Sequence, residues 1–132
     1  MSTVENVSLL IARVLMSALF IPDGWGKLIH AGATQASFGQ RGLPVPVLAW
    51  LIAMLIELVG GAAVLVGLFA RFAALVLALW CIATALVAHS DFGDRNTEIH
   101  FFKNFAMAGG FLYLAVFGAG RYSLDRLRLR YR

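Results

Sequence analysis

Four long apolar stretches, separated by short polar ones, make up most of the chain. A hydrocarbon layer of about 30 Å is crossed by roughly 20 apolar residues of helix, because the helix satisfies every backbone donor and acceptor within the segment. Residues 7–29, 46–68, 72–88 and 101–119 meet that requirement. The first stretch holds Arg13, Pro22, Asp23 and Lys27, and Pro22, which cannot donate to the helical ladder, predicts a bend. The second is interrupted only by Glu57 and is opened by Gly42-Leu-Pro-Val-Pro46, whose prolines suit an extended entry and a first helical turn. The third carries no charge. The fourth has Lys103 and Asn104 near its start and Gly118 and Gly120 to end it.

Residues 31–42, rich in Gly, Ala and Gln, read as a loop, and Phe69-Ala-Arg71 is so short that the second and third helices must form a tight antiparallel hairpin. The connection from His89 to His100 is the most polar, with Asp91, Asp94, Arg95 and Glu98. The pattern predicts an all-α, antiparallel, integral membrane four-helix bundle, a single domain over residues 1–132 with a basic tail at 121–132. An even number of spans puts both termini on one side. That side holds six arginines, Arg71 and the five of the tail, against Arg41 and Arg95 with Lys27 and Lys103 at the opposite margins, so the termini are expected to be cytoplasmic.

Composition strengthens this picture. Hydrophobic residues are 61% of the 132 and charged ones 14%, too few polar groups for a water-soluble surface. The formal charge of +4 is concentrated at Arg121, Arg126, Arg128, Arg130 and Arg132, beyond the last span. That placement points to membrane orientation, or to contact with anionic headgroups, and away from nucleic acid. Cys81 is the only cysteine, which excludes a dithiol relay or a cysteine-rich metal site within the chain. The amino terminus lacks the basic patch of a secretory signal, and Arg13 interrupts its apolar run, so the first span is expected to be retained.

An ionisable residue inside a span is costly and marks a candidate site. Glu57 lies roughly 16–20 Å from either end of the second helix by helical rise. Ala53 and Gly61, four residues to either side, give it a face of small residues. Arg13 shares a face of the first helix with Ser17, Gly24 and Lys27, and its long side chain reads as the partner of Glu57. The pair is either a polar centre or an ion pair that locks two helices in register. At the opposite surface, threading brings Lys27, His89, His100, Lys103 and Asn104 to similar depth. That is a candidate polar pocket for an anionic or carbonyl-bearing ligand, set against simpler readings: a local Asp23–Lys27 pair, lysines snorkelling to headgroups, and histidines that merely end helices. Two histidines without carboxylate partners do not define a metal site. Trp25 and Trp50 fit interfacial anchoring, Trp80 fits packing or a lipid-facing position, and Cys81 fits packing.

In order along the chain, Arg13, Gly24-Trp-Gly-Lys-Leu28, Gly42-Leu-Pro-Val-Pro46, Ile56-Glu-Leu-Val-Gly-Gly61, Gly67-Leu-Phe-Ala-Arg71, Ala88-His89, Phe102-Lys-Asn104 and Gly118-Ala-Gly-Arg-Tyr-Ser-Leu-Asp125 resemble the DoxX family of small four-helix inner-membrane proteins, close to its YphA-like branch. The family is named after a subunit of a thiosulfate:quinone oxidoreductase, and some relatives are associated with thiol and oxidative-stress systems. The resemblance implies a multi-pass protein of the bacterial inner (plasma) membrane, acting as a membrane subunit or accessory in redox metabolism. A quinone is the implied ligand, and a partner redox protein or a second copy of the chain the implied partner. Two other classes compete. One is a small-solute or proton transporter in which Glu57 changes protonation, and which would have to oligomerise. The other is a purely structural subunit of a larger complex.

Overall fold

The computed structural model describes residues 1–130; Tyr131 and Arg132 of the basic tail lie outside the described residues. Seven α-helices run in the order α1 (Thr3–Ile29), α2 (Ala31–Gln40), α3 (Pro46–Met54), α4 (Gly61–Val66), α5 (Ala70–Ala88), α6 (Arg95–Phe117) and α7 (Leu124–Arg130), with a π-helical stretch, Leu55–Gly60, joining α3 to α4. Four units are long and apolar enough to cross a membrane: α1, the α3–π–α4 unit (Pro46–Val66), α5 and α6. No strand occurs among the described residues. The chain is thus an all-helical bundle of four spans. Leu15, Leu79, Val87 and Tyr113 point outward, whereas the core is built from Ala53, Ala70, Ala74, Ala78 and Ala85 around Leu77 and Phe111. Apolar groups face out and small ones in, as expected where hydrocarbon is the solvent and helices associate by close packing.

Local chemistry sets the helix boundaries. Ser2 and Glu5 form a reciprocal capping box that starts α1 before the expected residue 7, and the helix runs unbroken past Pro22. Asp94 caps α6 by accepting from the Thr97 N–H at 3.0 Å and its hydroxyl at 2.8 Å, so α6 includes the polar residues before Phe101. Those bonds hold the Asp94 carboxyl below the usual carboxylate range. Residues 31–40 are helical rather than a loop. The alanines there favour helix, and α2 leans on α3, with Gly39 against Pro46.

Both termini lie at one end of the bundle, where the Asn6 side chain accepts from the Arg121 N–H at 2.7 Å. The hairpin between α4 and α5 is turned there by Gly67 (φ 71°) and Phe69 (φ 47°). A left-handed conformation costs a bulky residue about 1–2 kcal/mol. Here it is offset by Asp125, whose carboxylate accepts from the N–H groups of Phe69 (2.8 Å) and Ala70 (2.9 Å) and so caps α5 from α7. Residues 121–130 of the segment expected as a basic tail are therefore docked through Asp125, with Leu124–Arg130 helical.

At the other end α1 approaches the π-helical stretch so closely that a Cβ added to Gly24 would lie 2.5 Å from the Leu58 nitrogen, while one added to Gly26 would meet nothing within 4 Å. Gly24→Ala is expected to lower stability by about 1–3 kcal/mol, the usual range for overpacking. Gly26→Ala is expected to leave it unchanged or raise it slightly, because alanine is the better helix former. Unfolding of both variants in detergent micelles checks the contrast.

Candidate functional site

The polar residues of the spans fall into separate groups. Arg13, 2% exposed, does not meet Glu57. Its Nε donates to the Val64 carbonyl (2.9 Å), Nη2 to Leu65 (2.6 Å), and Nη1 to both Ala119 (2.8 Å) and Tyr122 (2.7 Å). The expected Arg13–Glu57 pair is therefore corrected. The last carbonyls of a helix have no partner within it, and a cation with a fork of donors is well suited to a cluster of them. Arg13 closes the ends of α4 and of the α6–α7 connection. Ser17, one turn on, donates to the Gly61 carbonyl at 3.0 Å.

Glu57 is 5% exposed and sits in the π-helical stretch. Widened turns of this kind inside α-helices occur frequently at functional sites. Its partners are Lys27, with Nζ 2.6 Å from Oε2, and Trp80, whose Nε1–H donates to Oε1 at 3.0 Å. The Lys27 contact is an ion pair without hydrogen-bond geometry, and the buried Oε2 has no hydrogen-bond partner. Lys27 also pairs with Asp23 at 3.2 Å, the local pairing expected from their spacing. Side-chain exposure rises from Glu57 (6%) through Lys27 (18%) to Asp23 (61%), so the charged row runs from the core to the side of the bundle.

Lys27 reaches inward because helical Cα–Cβ bonds tilt toward the N-terminus, aiming a residue near the C-terminal end of α1 back along the bundle. The close Gly24–Leu58 approach brings it within range, and Trp50 Nε1–H fixes its backbone by donating to the Lys27 carbonyl at 2.7 Å. Trp50 thus has a positioning contact beyond interfacial anchoring. Trp80 packs against the core, as expected, and is also a hydrogen-bond donor to the site.

The remaining candidates gather between α5 and α6. Asn104 accepts from the Thr84 hydroxyl at 3.1 Å and donates to the His100 carbonyl at 2.9 Å. The Thr84 hydroxyl has one proton, which it shares among Asn104 and the carbonyls of Trp80 and Cys81, each 3.0 Å away. The His89 and His100 rings lie 5.3 Å apart. Lys103 is exposed and lines a shallow outer groove with Arg95, Glu98 and Phe102, away from the others. The expected single pocket is thus divided. Its parts are the row Asp23–Lys27–Glu57–Trp80, the Thr84–Asn104–His100–His89 line, and an outlying Lys103. No cluster of three or more metal-ligating residues occurs among the described residues. A cleft of about 1140 Å³ lies at the opposite end, between α7 and the ends of α5 and α6.

Sequence reasoning missed the Lys27–Glu57 and Glu57–Trp80 contacts, although signals for both were present. A tryptophan N–H buried in a span needs an acceptor, and the Gly60-Gly61 pair three residues after Glu57 marks a place where a helix departs from regular geometry.

A membrane-embedded helical bundle with a buried cation–carboxylate row is the class defined by this geometry. The chain belongs to the DoxX family, whose model matches residues 8–90, a span that includes Arg13, Lys27, Glu57 and Trp80. It is 42% identical over 127 residues to the inner membrane protein YqjF of Escherichia coli (strain K12), covering 96% of each chain. It is also 35% identical over 125 residues to the inner membrane protein YphA of the same organism, covering 91% of this chain and 89% of that one. No solved structure matches it. The protein is accordingly a multi-pass inner-membrane protein of this family.

Burial, reinforced by the neighbouring charges of His100 and Arg41, lowers the proton affinity of His89 relative to an ordinary histidine. A group with a depressed folded-state value binds its proton more readily when unfolded. Its contribution to stability is therefore present above about pH 6.5 and is lost as pH falls through and below that value. Thermal unfolding in micelles is expected to shift to lower temperature between pH 7.5 and 5.5, and His89→Gln to remove part of that shift.

Proposed function

We propose that this protein is a membrane subunit or accessory of a quinone-linked redox system, with both termini cytoplasmic, and that the Lys27–Glu57–Trp80 group receives the ligand's polar head. One observation carries the reading: a nearly buried carboxylate on a widened helical turn has a lysine ammonium and an indole N–H beside it, yet one of its oxygens has no hydrogen-bond partner. A quinone supplies two-electron, two-proton chemistry. The Lys27 ammonium is a donor suited to a quinone carbonyl, and Glu57 Oε2 is an acceptor suited to a quinol hydroxyl, so the residues fit both oxidation states. The row opens toward the side of the bundle at Asp23, in keeping with a ligand that arrives through the lipid. Clustering of Arg71, Arg121, Arg126, Arg128 and Arg130 at the end that holds the termini supports their cytoplasmic placement.

The experiment is thermal unfolding in micelles with and without a short-chain ubiquinone analogue, combined with mass spectrometry of quinone that co-purifies. Ligand present at about a hundred times its dissociation constant stabilises a protein by roughly 2.7 kcal/mol, so the wild type is expected to gain several degrees. Glu57→Gln, nearly isosteric, is expected to fold and to lose both the gain and the co-purified quinone. Lys27→Met alone is expected to cost about 3–5 kcal/mol by leaving a buried charge unpaired. A Lys27→Met/Glu57→Leu double variant that folds and still responds fully to quinone would sink the proposal and leave the pair a structural clamp.

A further inference from the structure

The cleft between α7 and the ends of α5 and α6 has no part in the Glu57 group. About 16 Å of helical rise along α1 separates Gly24, which packs beside Glu57's turn, from Arg13 at the closed end, and the cleft lies beyond Arg13 among the helix termini. Its wall is basic. Arg71, Arg121, Arg126, Arg128 and Arg130 line it, and Asp125, its single acidic side chain, is already engaged by the N–H groups of Phe69 and Ala70. None of the five arginines has a carboxylate within 4 Å among the described residues, whose ion pairs are Lys27–Asp23, Lys27–Glu57 and Arg95–Glu98.

Two of these guanidinium groups are held in place. Arg128 stacks over the Phe69 ring, 4.4 Å from its centroid. Arg71 lies across Gly118 so closely that an added Cβ would come within 3.1 Å of its Nε. Gly118 has φ 78°, so both its conformation and its missing side chain leave room for the arginine. Beside the arginines stand large apolar groups that the bundle leaves uncovered: Phe72 at 71% exposure, Leu129 at 67% and Phe117 at 58%. Cationic groups at the level of the helix ends, with apolar groups directly beside them, match a molecule that is anionic at the head and hydrocarbon below it.

We infer that this cleft binds the headgroup phosphate of an anionic phospholipid from the surrounding leaflet, with Arg71 and Arg128 as its principal ligands and Phe72, Phe117 and Leu129 against its acyl chains. The arginine guanidinium donates in a planar fork that matches phosphate oxygens, and basic groups near a membrane surface attract anionic lipid more strongly than zwitterionic lipid. The inference is independent of any quinone at the other site.

The test uses the full chain, delipidated in a neutral detergent, with lipid binding read by native mass spectrometry and by thermal shift. Phosphatidylglycerol is expected to bind and stabilise, phosphatidylcholine to do so weakly, and inorganic phosphate not to reproduce the effect. An arginine near the surface contributes about fivefold in affinity. Arg71→Gln/Arg128→Gln is therefore expected to weaken phosphatidylglycerol binding by about twenty-five-fold, while Arg41→Gln, at the far end, leaves it unchanged. Should the double variant prove too unstable, Arg71→Lys/Arg128→Lys keeps the charge without the planar fork and is expected to bind more weakly than wild type. Equal binding by the double variant, equal binding of the two lipids, or full stabilisation by inorganic phosphate alone would each overturn the inference, the last by identifying a soluble-phosphate site.

Discussion

The guanidinium of Arg13 is the interaction on which the bundle depends. Helices that end within or beside hydrocarbon leave carbonyls that water cannot reach, and each one left unsatisfied is costly. Arg13 supplies donors to four of them, on Val64, Leu65, Ala119 and Tyr122, and so ties α1 to the end of α4 and to the chain after α6. Gly67 belongs to the same junction. An added Cβ there would lie 2.5 Å from the Ser123 Cβ and 3.1 Å from the Arg13 guanidinium carbon. The left-handed turn, the buried arginine and the docked α7 are therefore one construction.

Commitment of Arg13 to carbonyls has an electrostatic consequence for the rest of the fold. Glu57 needs another cation, and the chain provides Lys27, fourteen residues further along α1. That lysine can reach the carboxylate only because Gly24 lets the backbones of α1 and the π-helical stretch nearly touch. Glycine and alanine contribute little hydrophobic area. In lipid, though, helix association comes from close packing and interhelical hydrogen bonds more than from exclusion of apolar surface. The small residues and the buried charges are thus complementary requirements.

The four spans were legible because length and apolarity decide that question almost alone in a membrane. Family membership was legible from ordered short motifs. Pairings were less so. Arg13 and Glu57 were matched because charge complementarity is visible in sequence, whereas the carbonyls that compete for an arginine belong to every residue and carry no sequence mark. The helix at residues 31–40 was hidden because glycine disfavours helix and its packing on α3 leaves no mark in the sequence. Docking of α7 was hidden because Asp125 looks like a minor break in a basic run until its backbone partners on Phe69 and Ala70 are known.

Cross-ties are distributed unequally between the two ends. At the end holding the termini, Arg13, Asn6 and Asp125 join α1, α4, α5 and α7 through hydrogen bonds to backbone groups that do not ionise. At the other end the ties are the Trp50 bond to the Lys27 carbonyl and the side-chain contacts among Lys27, Glu57, Trp80, Thr84 and Asn104. Apart from the Trp50 bond, these ties run between side chains, whereas those at the end holding the termini run from side chains to backbone. The C-terminal half of α1 is thus held to the π-helical stretch through the Lys27–Glu57 contact and the close Gly24 approach, while its N-terminal half is held through Arg13 to the backbone of α4 and of the chain after α6.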